Sequence, residues 1–158
     1  MPRNNYHDTP VVEFHEAFGA PVAWRPGFPP DARILLRLEL IFEEFKELLE
    51  ETGFALFFED RQVTGGLALA QLISRPPNLV GAADALTDLR YVIDGACLEF
   101  GLPAEKLLRE VHRSNMSKLG ADGKPILRED GKVLKGPGYQ PPRLDLIIEL
   151  YKETPNHG

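Results

Sequence analysis

The chain has 158 residues, of which 43% are hydrophobic, and it carries a net charge of −6 and a single cysteine. This length and composition suit one folded domain over residues 1–158, and the negative charge disfavours nonspecific binding to nucleic acid, which depends on a basic surface. No apolar run approaches the ~20 residues of a membrane span, the N-terminus has no apolar signal segment, and one cysteine allows no intrachain disulfide, so we expect a cytoplasmic protein without membrane partners.

Hydrophobic residues recur at helical spacing through most of the chain, and Gly or Pro residues separate the periodic segments. Gly19, Gly53 and Gly101 are placed to end three helices, and Asp31 is the expected N-cap of the second. The segment TGGLALAQLI allows a short additional helix. Five helical segments are predicted over residues 10–18, 31–52, 79–100, 103–119 and 145–153, and residues 64–73 are left as a possible short helix. Four or five helices joined by breaks predict an all-α bundle.

The stretch between the last two helices is rich in turn-forming pairs. Asp130-Gly131 is flanked by Ile126-Leu127 and Lys132-Val133, which predicts a small two-stranded hairpin. We therefore expect a helical core over about residues 10–119, followed by a hairpin loop and a C-terminal helix over 120–158.

An acidic stripe on the second helix is matched by an acidic pair on the helix over 79–100. At about 100° per residue, the glutamates of the second helix share one arc, and apolar side chains occupy the opposite arc. Asp84 and Asp88 are one turn apart and share a face with Tyr91 and Gly95. Two such faces would repel each other unless a cation lay between them. The glutamates of the stripe are Glu43, Glu44, Glu47, Glu50 and Glu51.

Oxygen ligands alone suit a hard cation, Mg²⁺ or Mn²⁺, rather than zinc. A divalent ion held by these carboxylates would bind polyphosphate and act as a Lewis acid on a phosphoryl group, and a carboxylate outside its ligand shell would take the proton of the attacking water. The alternative is an ordinary solvated helix face. Asp84 and Asp88 favour a site, because Asp is a poor helix former and both lie on one face of an otherwise apolar helix.

Further residues are candidates for nucleotide contacts. Asn115 and Lys118 lie one turn apart and would hold phosphate oxygens or the sugar, although a structural hydrogen bond and a helix-end charge are the alternatives. Basic loop residues either close over a phosphate tail or are solvated, and aromatic residues either form a wall against a nucleobase or belong to the core. The basic residues are Lys124, Arg128, Lys132 and Lys135, the aromatic residues are Phe14, Phe18, Trp24 and Tyr91, and His112 and Arg113 are weaker candidates.

EExxE on the second helix, DALTDLRYV on the helix over 79–100 and HRSNMSK on the next one resemble the all-α nucleoside triphosphate pyrophosphohydrolase superfamily. That superfamily includes MazG, the dimeric dUTPases and phosphoribosyl-ATP pyrophosphohydrolase. The resemblance extends from about Val11 to Ile148. It implies a helical core that forms a homodimer or higher homo-oligomer, with metal held by an ExxE pair and an ExxD pair.

The resemblance assigns the metal ligands residue by residue. Glu44 and Glu47 match the ExxE pair, and Asp88 matches the Asp of ExxD. The Glu of ExxD falls at Ala85, so the chain departs from the pattern there, and Asp84 lies one residue earlier on nearly the same face. We therefore expect Glu44, Glu47, Asp84 and Asp88 to hold Mg²⁺.

The resemblance also suggests the remaining roles. Glu43 matches an extra Glu of some members and is expected, with Glu44 and Lys118, in the catalytic set. Asn115 and Lys118 match positions that resemble phosphate contacts. Tyr91 and Lys135, taken from the aromatic and basic candidates above and not from the resemblance, complete the expected substrate contacts.

The implied activity is Mg²⁺-dependent cleavage of a nucleoside triphosphate between its α- and β-phosphates, giving a nucleoside monophosphate and pyrophosphate. The implied role is removal of dUTP or a non-standard nucleotide from the nucleotide pool. One alternative is hydrolysis of phosphoribosyl-ATP in histidine synthesis. Another is a nucleotide-binding or assembly module without turnover, which the missing Glu at Ala85 favours.

Overall fold

The computed structural model describes residues 9–58, 67–71 and 76–153. Within these parts the chain forms helices and two short strands, so the prediction of an all-α fold is confirmed. The elements are α1 (Pro10–Phe18), α2 (Asp31–Thr52), β1 (Phe54–Phe58), β2 (Leu67–Gln71), α3 (Leu79–Glu99), α4 (Ala104–Met116) and α5 (Leu144–Glu153). No helix of the described parts is long and apolar enough to cross a membrane.

The local sequence accounts for most helix ends. Gly19 and Gly53 adopt left-handed conformations, with φ of 67° and 79°, and end α1 and α2 as predicted. The prediction that Asp31 caps α2 is wrong, because Pro30 takes the N-cap position and Asp31 is the first helical residue. The fixed φ of proline starts the helix one residue earlier, and Asp31 instead lies in the first turn, where a negative charge favours the helix dipole.

The possible short helix over 64–73 is not formed in its described part, so that expectation is corrected. Leu67–Gln71 is strand β2, which pairs antiparallel with β1 so that Phe54 lies opposite Gln71 and Phe58 lies opposite Leu67. A short apolar run bounded by Gly and Pro is ambiguous between helix and strand, and the aromatic run of β1 supplies a partner for backbone pairing. Residues 64–66 and 72–73 lie outside the described residues.

Helices α2 and α3 pack along each other and form the centre of the fold. Polar side chains take part in this contact, since Arg37 of α2 donates to Glu99 of α3. Ala85, Gly95 and Glu99 of α3 are buried, and Glu44 of α2 is half-buried. The apolar flanks of both helices are exposed. These flanks carry Leu35, Leu38 and Phe42 on α2, and Leu79, Leu86 and Ile93 on α3.

Helix α1 packs on the C-terminal half of α3. Val11 and Val12 form a small core with Leu98, and Val22 and Tyr91 pack against it. This contact fixes α1 next to the end of α3 that follows Asp88.

The C-terminal part is built on α4. The predicted hairpin is confirmed by an antiparallel bridge between Leu127 and Val133, with Gly131 at a φ of 84° in the turn. The loop then returns to α4, where the Ser114 hydroxyl donates to the Gln140 carbonyl at 2.8 Å, and α5 packs on α4.

Candidate functional site

The pairing of α2 with α3 brings the two acidic faces together. Burial raises the pKa of Glu44 above 4.5, and the negative charges of Asp88, Glu47, Glu43 and Asp84, in decreasing order, raise it further. Among these charges, that of Asp88 on the opposite helix raises the pKa of Glu44 most. We call Glu43, Glu44, Glu47, Asp84 and Asp88 the acidic cluster.

One oxygen of the acidic cluster is unsatisfied. Oε2 of Glu44 is buried, and within the described residues it has no hydrogen-bond partner. A buried, unpaired carboxylate oxygen is costly, and here the surrounding charges are of the same sign. A cation would give the unpaired oxygen a partner and would neutralise the surrounding negative charges. A donor set made only of carboxylate oxygens fits a hard divalent ion.

The acidic cluster is not arranged as a finished metal site. No group of three His, Cys, Asp or Glu side chains in the described part of the chain is assembled for metal binding. Glu47, Asp84 and Asp88 are exposed. These side chains would therefore have to change rotamer to close around an ion beside Glu44.

Ala85 lies on the contact face of α3, where its side chain is only 1% exposed. It occupies the position at which the resemblance places a glutamate, so a methyl group packs there against the neighbouring helix. Asp84 is exposed beside it and acts on Glu44 through its charge. Any carboxylate from this turn of α3 must therefore come from Asp84 or Asp88.

A buried ionic network between α2 and α3 was not predicted from the sequence. The Glu99 carboxylate, 3% exposed as a residue, accepts hydrogen bonds from Arg33 and Arg37, with the two Nε atoms at 3.0 and 2.7 Å. Burial alone would raise the pKa of Glu99, but the hydrogen bonds from Arg33 and Arg37 outweigh it and lower the pKa below 4.5. Glu99 therefore remains charged and ties α3 to α2.

His15 connects α1 to this network. Its Nδ1 lies 2.9 Å from the Pro21 carbonyl, which can only accept, and its Nε2 lies 3.1 Å from Nη2 of Arg37, which can only donate. The ring is therefore neutral, with its proton on Nδ1. A Cβ at Gly95 would lie 3.0 Å from both the His15 and the Arg37 side chains, so glycine makes room for their contact.

The sequence contains a residue pattern that indicates this ionic network. Arg33 and Arg37 are one turn apart, and Arg37 and Glu44 are seven residues apart, so all three share one face of α2. Glu99 follows Asp88 by about three helical turns and therefore falls on the same face of α3. Basic and acidic residues at these positions of two facing helices are the signal that could have predicted a buried ion pair.

Asn115, Lys118 and Lys135 form a second cluster at the end of α4. Nζ of Lys118 donates to Oδ1 of Asn115 at 2.7 Å, and the Lys118 carbonyl accepts from the Gly136 N–H at 2.9 Å. Nζ of Lys135 lies 4.3 Å from the ring centroid of Tyr139. A Cβ at Gly136 would lie 2.3 Å from the Leu119 carbonyl oxygen, so the loop approaches the helix closely. No described hydrogen bond joins this cluster to the acidic cluster.

The weaker candidates have structural partners or lie on the surface. Arg113 donates to Glu110 through both Nε and Nη2, and also to Gln140 and the Pro141 carbonyl. The hydrogen bond from Arg113, together with one from the Arg143 N–H, lowers the pKa of Glu110 to about 2. Arg113 therefore fastens the loop to α4. His112 is exposed, and Arg128 pairs with Asp130 in the hairpin turn.

Three of the four aromatic candidates lie together. The rings of Phe14 and Phe18 are stacked with centroids 4.3 Å apart, and Tyr91 meets Phe14 edge-on at 5.8 Å. The Tyr91 hydroxyl donates to the Pro10 carbonyl at 3.3 Å, so this side chain also supports α1. Trp24 lies in the connector between α1 and α2 and is about half exposed.

Comparison with known proteins gives one family and one solved structure. The model of the phosphoribosyl-ATP pyrophosphohydrolase family matches residues 11–115. A candidate NTP pyrophosphohydrolase from Exiguobacterium sp. 255-15, known from a crystal structure, is 29% identical, with 96% of this chain and 95% of that chain covered and a TM-score of 0.41. No curated protein matches the chain.

Proposed function

The chain belongs to the phosphoribosyl-ATP pyrophosphohydrolase family, and on that premise we propose that it hydrolyses a nucleoside triphosphate between the α- and β-phosphates in a Mg²⁺-dependent reaction. The observation that carries this proposal is the buried, unpartnered Oε2 of Glu44, which lies among four further carboxylates. A structural role does not account for a carboxylate in such surroundings, whereas a divalent cation does.

In this proposal Glu44, Glu47, Asp84 and Asp88 hold Mg²⁺, and Mn²⁺ is an acceptable substitute. The ion, when bound, neutralises phosphate charge and polarises the phosphoryl group. Glu44, whose Oε2 is buried, is the fixed ligand. The exposed carboxylates of Glu47, Asp84 and Asp88 bind the ion from the solvent side. The bound ion would allow the acidic cluster to accept a polyanionic substrate.

Glu43 is the proposed base. It is exposed and adjoins Glu44 in the chain, so it reaches water at the rim of the cluster. Glu43 accepts a proton from water, the water oxygen bonds to a phosphorus of the α–β bridge, and the bond to the bridging oxygen breaks. The products are a nucleoside monophosphate and pyrophosphate.

Lys118, Asn115 and Lys135 are the proposed phosphate contacts, with Tyr91 near the nucleoside. The contact between Lys118 and Asn115 at 2.7 Å holds the ammonium in place before substrate arrives. In the reaction Lys118 neutralises charge on the transferred phosphoryl group, which makes it part of the catalytic set. This role requires the end of α4 to meet the acidic cluster.

We also propose that the chain acts as a homodimer. Leu35, Leu38 and Phe42 on α2 and Leu86 and Ile93 on α3 are exposed on the helices that carry the acidic cluster. Exposed apolar stripes of this kind are typical of protein interfaces. A second copy packed on these flanks would bury them.

The proposed role is removal of dUTP or a non-standard nucleotide. The family match favours phosphoribosyl-ATP as the second candidate substrate. The buried methyl group of Ala85 favours a third candidate, a nucleotide-binding module without turnover. Pyrophosphate release from a panel of canonical, deoxy and modified nucleoside triphosphates and phosphoribosyl-ATP separates the three, since only the third gives no turnover with any substrate.

A further inference from the structure

The side chains of Phe14, Phe18 and Tyr91 form an aromatic patch. The reaction proposed above uses only Tyr91 of these three residues. Phe14 is 43% exposed and Phe18 is 74% exposed, so their stacked rings face solvent. Large aromatic side chains normally contribute to a core, and two exposed, mutually stacked rings on one short helix are unusual for a packing role.

Helix α1 holds the patch in a fixed position. His15, which follows Phe14 in the chain, is 1% exposed and is bound on both ring nitrogens, by Pro21 and Arg37. Tyr91 supports the N-terminal end of α1 through the Pro10 carbonyl. Because the buried side of α1 is anchored at these points, its opposite side presents the two Phe rings with little freedom to turn.

The patch adjoins the acidic cluster. Tyr91 follows Asp88 by three residues on α3, so the two side chains are neighbours one turn apart on the same face. Val11 and Val12 pack towards Leu98, farther along α3, whereas Phe14 contacts Tyr91. The Phe rings therefore lie on the side of α1 that is nearer to Asp88.

We propose that the base of the nucleotide stacks on Phe14 and Phe18 while its phosphates lie at the acidic cluster. This inference rests on the proposed function and adds the way in which the base is recognised. Stacking on phenylalanine uses the π-face that all bases share, and phenylalanine offers no hydrogen bond to a base edge. The two Phe rings therefore favour base-bearing triphosphates as a class, and discrimination among bases comes from other contacts of the site.

The test is binding of non-hydrolysable probes, measured by calorimetry in Mg²⁺. The probes are an α,β-methylene nucleoside triphosphate and the corresponding ribose 5-triphosphate, which lacks the base. The proteins are wild type, Phe18→Ala, and Phe28→Ala as matched control, since Phe28 is 88% exposed in the connector and contacts Phe100 rather than the patch.

The Phe18→Ala variant is expected to bind the nucleotide about tenfold more weakly and to bind the abasic probe as wild type does. Phe28→Ala is expected to bind both probes as wild type does. Equal losses for both probes, or no loss for either, would overturn the proposal. A change in sedimenting mass with unchanged affinity would also overturn it and assign the patch to an interface between copies.

The outcomes also separate this inference from the proposed function. If wild type binds the nucleotide more tightly than the abasic probe but releases no pyrophosphate from the natural triphosphate, base stacking stands and hydrolysis is rejected. If wild type hydrolyses triphosphates but shows no preference for the base-bearing probe, hydrolysis stands and base stacking is rejected. If wild type binds neither probe and releases no pyrophosphate from the natural triphosphate, both are rejected.

Discussion

Glu44 lies in a position that is unfavourable for its own charge. Burial and the neighbouring carboxylates raise its pKa above 4.5, so the native fold disfavours the ionised form that dominates at neutral pH. A raised carboxyl pKa means that the native state binds more protons than the unfolded chain. The folded protein therefore loses stability as the pH rises from the ordinary pKa of a glutamate through the raised pKa of Glu44. Residues that cost stability in this way are typical of functional sites.

The Glu44→Gln variant is therefore expected to be more stable than wild type when divalent ions are chelated. Loss of the charge should raise the free energy of unfolding by about 0.5–2 kcal/mol at pH 7, and the gain should shrink below pH 4.5, where wild type is protonated. Thermal unfolding in chelator and in Mg²⁺ measures both effects, and Mg²⁺ should stabilise wild type and the control variant but not Glu44→Gln. Glu39→Gln, at an exposed position of the same helix, is the control. A destabilised Glu44→Gln variant in chelator would contradict this account.

Ala85 offers the converse experiment. A glutamate at this position, 1% exposed in the contact between α2 and α3, would bury a carboxylate beside the acidic cluster. Ala85→Glu is expected to lower the free energy of unfolding by about 3–5 kcal/mol in chelator, the range seen for uncompensated buried charges. Mg²⁺ or Mn²⁺ should restore part of this loss, because the added carboxylate becomes a ligand. Equal unfolding temperatures with and without the ions would reject a cation site at this turn.

At the scale of elements, α1, α2 and α3 are joined by ionic contacts as much as by apolar packing. His15, Arg37, Arg33 and Glu99 link all three helices, and Gly95 leaves the space for them. Arg37 and Glu44 share a face of α2, two turns apart. The network therefore fixes which faces of α2 and α3 meet, and the acidic cluster lies on those faces.

This network predicts a pH effect. Burial lowers the pKa of His15 below 6.5, and the charge of Arg37 lowers it further, although the hydrogen bond to Pro21 opposes the shift. Since the unfolded chain takes up this proton first, stability is retained above pH 6.5 and is lost as the pH falls below it. Chemical denaturation between pH 8 and pH 5 should show this loss in wild type and a smaller one in His15→Gln. His112→Gln, at an exposed position of α4, should behave as wild type, and a His15→Gln curve parallel to wild type would contradict the assignment.

The elements also show what the sequence could predict. The bounds of α1 and α2 were predicted because Gly19 and Gly53 mark their ends with a backbone conformation that other residues rarely adopt. Strand β2 is not evident from the sequence, because its pairing with β1 is a tertiary contact that periodicity does not contain. The acidic cluster was predicted from spacing on two helices, whereas the link to His15 was missed because it depends on how α1 packs.

At the scale of the whole molecule, much apolar surface remains exposed on the helices that form the centre of the fold. Leu38 is 59% exposed and Phe42 is 50% exposed on α2, and Leu86 is 54% exposed on α3. Such flanks favour self-association. The sequence predicts these apolar arcs, and the proposed second copy would cover them.

We therefore expect wild type to sediment at twice the mass of one chain at micromolar concentration. Leu38→Glu should shift the protein towards the monomer, because a charge in the centre of an apolar contact would be buried without a partner. Leu150→Glu, at a comparably exposed position of α5, serves as control and should leave the mass unchanged. A monomeric wild type, measured by sedimentation equilibrium, would reject the dimer.

The most direct test of the central claim is pyrophosphate release by wild type and Glu47→Gln with Mg²⁺, Mn²⁺ or chelator, across nucleoside triphosphates and phosphoribosyl-ATP. The account predicts turnover of at least one substrate, dependent on the divalent ion and lost in Glu47→Gln, with Glu39→Gln as active as wild type. Which substrate turns over distinguishes a nucleotide-pool enzyme from one acting on phosphoribosyl-ATP. Absence of pyrophosphate release from every substrate by folded wild type would contradict the account and favour a binding module.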